Sequence, residues 1–130
     1  MKCLDTDLLI AILRGKPEAA GKVKELDEEA KGATTSINVF EVLFGAQKSS
    51  NKAVNLKETL RLLDRLDVAP LDLGASRKAA EIAAKLSAKG EAIDYRDAMV
   101  AGIAIENDLT LVTRNVSHFA RIKGLKFETW

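Results

Sequence analysis

The chain has 130 residues, 47% hydrophobic and 30% charged, which are the proportions of an ordinary folded domain and exclude a disordered one. With 20 Lys and Arg against 19 Asp and Glu the net charge is +1, so bulk electrostatics offers no argument for an acidic or nucleic-acid partner. The single cysteine, Cys3, rules out an internal disulfide framework, and no apolar run reaches the roughly 18–20 residues of a membrane span.

Lys2 to Asp5 reads as a short buried strand, and Leu8, Leu9, Ile12 and Leu13 then recur at helical spacing. Thr6 or Asp7 is the expected cap of that helix, with Asp5 as an alternative. Gly15-Lys16-Pro17 ends it, and Pro17 opens a helix to about Lys31, stopped by Gly32. The β-branched stretch Ala33 to Ile37 predicts a second strand, and a helix from Asn38 to about Gln47 follows, capped by Asn38 or Ser36. Lys48 to Asn51 is a turn, Ala53 to Leu66 a helix, and Val68 to Leu71 a weak strand candidate. Gly74 to Ala88 is an alanine-rich helix, and Asp94 caps another that runs to about Asn107. Thr110 to Thr113 and Lys126 to Glu128 complete the strands. Strands alternating with helices imply an α/β fold with a largely parallel sheet, in a single domain over residues 1–130. The opening Met1-Lys2-Cys3-Leu4 is interrupted by Asp5 and Asp7, unlike a signal peptide, so a cytoplasmic protein is expected.

Three carboxylates stand where apolar surroundings make a charge costly. Asp5 ends the first strand, Glu41 interrupts the block Ile37 to Phe44, and Asp97 precedes the run Ala98 to Ile105. A charge buried near apolar surface costs several kcal/mol unless it is paired or binds a metal. In an open parallel sheet, ligands bind outside the carboxyl ends of the strands. Asp5, Glu41 and Asp97 can all face that edge, and Asn115, just past the strand at Thr110 to Thr113, can reach it as well. Oxygen-only donors of this kind suit Mg²⁺ or Mn²⁺. Plainer readings stand beside this one. Asp5 can be a helix cap, and Asp97 can be an acid favoured by a helix dipole with Asp94 capping. Glu41 has no Lys or Arg within a helical turn to pair with.

The remaining polar residues each carry two uses. Asp7 and Asp94 are caps first and metal ligands second, and His118 is a general base or a surface residue. Arg114 and Arg121 either hold a phosphate backbone or are simply exposed. Thr35 and Ser36 orient a ligand or fill the strand, and Cys3 is a small core residue. The helices around Phe40, Phe44, Leu60 and Leu63 form a groove for a partner helix or, more simply, pack in the core.

Four stretches carry a resemblance: Leu4 to Ile10, Thr35 to Gly45, Ile93 to Ala101 and Leu111 to Phe119, together with the tail Ile122 to Trp130. In this order and spacing they resemble the PIN domain, and in particular the VapC-type toxin ribonucleases, over essentially the whole chain. The resemblance implies a three-layer α/β/α sandwich and Mg²⁺- or Mn²⁺-dependent hydrolysis of RNA. It further implies a homodimer and inhibition by an antitoxin protein that crosses the active-site groove. By position, Asp5, Glu41 and Asp97 take the family's acidic places and Asn115 the fourth, which is often acidic. The resulting expectation is an endoribonuclease in which Asp5 and Asp97 bind the metal. Glu41 completes the cluster or accepts a proton from water, and Asn115 orients that water or a phosphate oxygen. The alternatives are a weakly active or inactive binding module within a partner complex, and a nuclease acting on DNA.

Overall fold

The apolar and β-branched triplets form strands that lie side by side in one sheet. The computed structural model describes residues 1–29 and 31–130. Its elements are β1 (Lys2–Leu4), α1 (Thr6–Leu13), α2 (Pro17–Glu29), β2 (Ala33–Thr35), α3 (Ser36–Lys48) and α4 (Lys52–Leu63), followed by β3 (Asp67–Ala69). Then come α5 (Leu73–Ala88), α6 (Tyr95–Glu106), β4 (Thr110–Val112), α7 (Val116–Phe119) and β5 (Lys126–Glu128). The order across the sheet is β3-β2-β1-β4-β5, and every pairing is parallel.

Because side chains alternate along a strand, each central strand feeds two cores. Cys3 and Leu111 point to one face, where they pack with Val100, Ala104 and Phe119 of the helices α6 and α7. Leu4 and Val112 point to the other, against Leu8, Leu9, Leu26, Val42 and Leu63 of α1 to α4. Each fully buried Leu or Val of these layers contributes about 1.5–3 kcal/mol. The result is the expected three-layer sandwich, its sheet parallel throughout.

The chain runs from β1 outward to β3 and then returns to lay β4 against the other side of β1. The direction of winding therefore reverses between β1 and β4. The chain leaves β1 and β4 toward opposite faces of the sheet, and the crevice between those connections is the usual place for a ligand in such sheets.

Several boundaries differ from the sequence reading, each for a local reason. Asp5, not Thr6 or Asp7, is the cap of α1, and its side chain accepts from Thr6 N at 2.9 Å. Helix α3 starts at Ser36 because Thr35 caps it, exchanging hydrogen bonds with Asn38 in a capping box. Helix α4 stops at Leu63, and turn-like bonds from Arg65 N to Leu62 O and Leu66 N to Leu63 O wind the chain down. Strand β3 sits earlier, at Asp67–Ala69, since Pro70 has no N–H to give to a ladder. The predicted end of α2 near Lys31 crosses residue 30, outside the described residues. Core packing was the simpler expectation for Phe40, Phe44 and Leu60, yet all three are exposed, Phe40 to 65%; Leu63 alone of that group is buried. Phe40 and Phe44 lie side by side on α3 with ring centroids 5.7 Å apart. Among the described residues no helix is long and apolar enough to cross a membrane.

Candidate active site

Asp5 leaves the end of β1 at the crevice and is completely buried. Its carboxylate is held from every side. Oδ1 accepts from Thr6 N at 2.9 Å, from Asn38 Nδ2 at 2.9 Å and from Arg96 Nη2 at 2.7 Å. Oδ2 accepts from the hydroxyl of Thr113, the residue after β4, at 2.7 Å. Asn38 is locked in turn: its Oδ1 accepts from Thr35, and its amide also reaches Thr6 Oγ1 at 2.9 Å. No buried side-chain polar atom lacks a partner among the described residues. The carboxylate is thus fixed before any ligand arrives, the preorganisation that binding and catalysis both exploit.

Glu41 comes from the second turn of α3 and remains 31% exposed at the mouth of the crevice. Its Oε1 accepts from Thr6 Oγ1 at 2.6 Å and from Arg96 Nε and Nη2 at 2.9 and 2.7 Å. A cavity of about 240 Å³ opens beside it, bordered by Ile10, Leu13, Val42 and Asn55. Asp97, nearly buried in the first turn of α6, accepts from Arg96 Nη1 at 2.9 Å, while its other oxygen lies 3.0 Å from His118 Nδ1. The three predicted carboxylates do converge, and what joins them is a single guanidinium.

Arg96 is the residue that sequence reasoning missed. Glu41 has no basic neighbour on its own helix, but a partner arrives from α6, 55 positions away. Burial works against the guanidinium's charge, but hydrogen bonds and charge from Glu41 and Asp5 outweigh it and raise the pKa further above its ordinary value. A signal was present in the sequence. It was a weak one: a cation in the first turn of a helix opposes the helix dipole, so Arg96 gains there from anionic partners.

The other candidates fall into place around this centre. Asn115 is exposed at the start of α7; its backbone N–H donates to Thr113 Oγ1 at 3.0 Å and its side chain makes no capping bond. Asp7 is half-buried, accepting from Arg114 N at 2.8 Å and from Trp130 Nε1 at 3.3 Å, so it anchors the tail and does not cap α1. Arg114 stacks on Trp130, 3.6 Å from the ring centre. Asp94 caps α6 as expected, and Ser36 Oγ accepts from Leu71 N at 3.1 Å, tying down the segment after β3. Arg121 binds the carbonyls of Glu91 and Ala92. Cys3 is buried beneath Asp5; burial first, then that carboxylate, push its thiol up to about 12, so it is an inert core residue.

The oxygen-only donor set of Asp5, Glu41 and Asp97 matches the chemistry of a hard divalent cation, and the site already attracts one positive group. As the side chains lie, no three acidic, histidine or cysteine groups among the described residues stand ready to hold a metal ion. The guanidinium fills the space between them.

Fold and site together define a class: parallel α/β proteins with an acidic centre at the point where the sheet reverses its winding. Comparison with known proteins sharpens this. The PIN domain model matches residues 2–125. The tRNA(fMet)-specific endonuclease VapC of Shigella flexneri is 32% identical over 127 residues, covering 98% of this chain and 96% of that protein. VapBC2 of Rickettsia felis, solved bound to a promoter DNA fragment, superposes with a TM-score of 0.91 at 27% identity, covering 99% of this chain and 98% of that one. DNA-bound VapBC of Salmonella typhimurium gives 0.89 at 32% identity, over 100% and 99%. The chain belongs to the PIN domain family.

Proposed function

We propose that this protein is an endoribonuclease dependent on a divalent cation, Mg²⁺ or Mn²⁺, and the toxin of a toxin–antitoxin pair. The observation that carries the reading is the meeting of Asp5, Glu41 and Asp97 at the switch point of the sheet. The names of the relatives support RNA as the substrate, and the VapBC complexes among the solved structures support an antitoxin partner. Pairing of two copies belongs to the same proposal and is read by sedimentation velocity.

Asp5 and Asp97 would hold the cation, both being buried and fixed by neighbours that leave them little freedom. The chemistry such a cation would supply is positive charge for the scissile phosphate and a lowered pKa for an attacking water. Glu41 keeps one oxygen, Oε2, free of hydrogen bonds among the described residues, and its exposure lets that oxygen accept a proton from water. Asn115, with a free amide at the rim, orients the water or a phosphate oxygen. Hydrolysis then proceeds by attack of that water on phosphorus with departure of the sugar oxygen opposite it.

The test is cleavage of RNA, with a tRNA pool as first substrate, by the parent and by Asp97→Asn in Mg²⁺ or Mn²⁺ and in chelator. Activity should require the cation and fall at least about 100-fold in the variant, since even neighbours of metal ligands cost 10–100-fold when changed. Cation-dependent cleavage that survives the substitution refutes the assignment. A parent that neither cleaves RNA nor binds Mn²⁺ would be the binding module.

A further inference from the structure

Arg96 has no role in the reading given so far, yet it is the most heavily bonded side chain of the site. Its guanidinium donates to one oxygen of each carboxylate: Asp5 Oδ1 at 2.7 Å, Glu41 Oε1 at 2.7 Å and Asp97 Oδ1 at 2.9 Å. Nη2 also reaches Thr6 Oγ1 at 3.1 Å. The planar fork meets all three carboxylates from a single position through its separate N–H groups. A divalent cation bound to the same carboxylates would lie about 2.0–2.1 Å from their oxygens, in the volume the guanidinium fills.

Helix α6 gives Arg96 the means to leave. Asp94 fixes the backbone by accepting from Arg96 N at 2.9 Å, so the main chain stays in place while the long side chain turns. The Arg96 side chain is 21% exposed, so it already borders solvent. On leaving, the guanidinium gives up the three carboxylates together.

Building on the function proposed above, we propose that Arg96 is a positioning residue that acts as an internal counter-ion. It assembles Asp5, Glu41 and Asp97 in the metal-free protein and is displaced from between them when the divalent cation binds. Two consequences follow. Without metal, Arg96 relieves the mutual repulsion of three carboxylates; with metal, its prior occupancy weakens apparent affinity. If the carboxylates are free of the guanidinium in one molecule in ten, the apparent affinity is about tenfold below the intrinsic one.

The test is calorimetric titration of Mn²⁺ into the parent, Arg96→Gln and Arg96→Lys, with thermal unfolding of each in chelator and in saturating Mn²⁺. Lysine keeps the charge but lacks the fork, so it separates displacement from simple through-space repulsion. Arg96→Gln should bind Mn²⁺ at least about tenfold more tightly than the parent, with Arg96→Lys between them. In chelator both variants should melt below the parent, and Mn²⁺ should raise their Tm by more than it raises the parent's. Equal or weaker Mn²⁺ binding by Arg96→Gln overturns the proposal, as does a lysine variant indistinguishable from the parent. If the glutamine variant fails to fold, the lysine variant decides. The two proposals fail separately. RNA cleavage by the parent with unchanged Mn²⁺ affinities in the variants refutes only the role of Arg96. The predicted affinities without RNA cleavage refute only the nuclease.

Discussion

Replacing Asp5 by asparagine or by alanine separates charge from hydrogen bonding at the centre of the site. Oδ1 of Asp5 accepts three N–H donors, whereas Oδ2 accepts only the Thr113 hydroxyl. An asparagine therefore settles with its oxygen in the Oδ1 position and its amide toward Thr113 Oγ1. That hydroxyl can turn its own hydrogen to Asp7 Oδ2, 3.4 Å away. The donors that Asp5 served all keep an acceptor, and Arg96 keeps Glu41 and Asp97. What is lost is the ionised acceptor of the three bonds to Oδ1, the bond from Arg96 above all, so Asp5→Asn should cost about 1–2 kcal/mol. Alanine removes more. It deletes the α1 cap, worth about 1 kcal/mol, and the charged bond to Arg96, worth about 1.5–3 kcal/mol, and it leaves the Thr6 N–H without its acceptor. Asp5→Ala should therefore lose about 3–4 kcal/mol, a large part of the roughly 5–15 kcal/mol that holds a domain together. Urea unfolding of the three proteins measures the gap, and RNA cleavage should fall at least about 100-fold in both variants. Equal losses of stability in the two variants would refute the hydrogen-bond accounting. An asparagine variant that keeps more than about a tenth of the activity would show that the charge of Asp5 is not what the reaction needs.

Two further expectations concern the frame around the site. A Cβ on Gly102 of α6 would stand 2.7 Å from Ala75 O and from Ala79 N on α5. Both are backbone atoms, so overpacking of about 1–3 kcal/mol or more should outweigh the ~1 kcal/mol gained in helix propensity; Gly102→Ala should lower the Tm, and a higher Tm would show that the two helices separate freely. Glu128 sits between Lys2 and Lys22; burial raises its pKa, but hydrogen bonds from the two lysines outweigh it and hold the carboxyl below its ordinary value. Its contribution is therefore present above the ordinary carboxylate range and fades as pH falls through the lowered value. Glu128→Gln should cost about 1–2 kcal/mol at pH 7, and a gap that stays constant in urea melts down to about pH 3 would refute the pairing.

The sequence exposed the acids more readily than what surrounds them. Asp5, Glu41 and Asp97 stood out because a charge inside an apolar run violates the pattern that identifies the run, and one sequence suffices to see it. Their common destination followed from strand ends and helix starts alone. The caps were less legible, since Asp5, Thr6 and Asp7 are all suitable cap residues and the choice among them is made by Asn38, Thr113 and Arg96 from elsewhere in the chain. Arg96 escaped because two of its three acidic partners lie 55 and 91 positions away, beyond any local periodicity. Phe40 and Phe44 were misplaced for the converse reason. Their spacing is that of a buried helical stripe, but α3 turns its Val42 and Ala46 face inward and leaves those rings outside.

The pairing of Asp5 with Arg96 and with Thr113, 108 positions downstream, also has a bearing on time. Asp5 is made before the groups that hold its carboxylate, which come from α3, from α6 and from the end of β4. A chain still being made has the first acid and lacks the crevice, because β4 must insert beside β1 before there is a second wall. The crevice is therefore complete only once Thr113 has been made, and a chain cut before β4 lacks the group that holds Asp5 Oδ2.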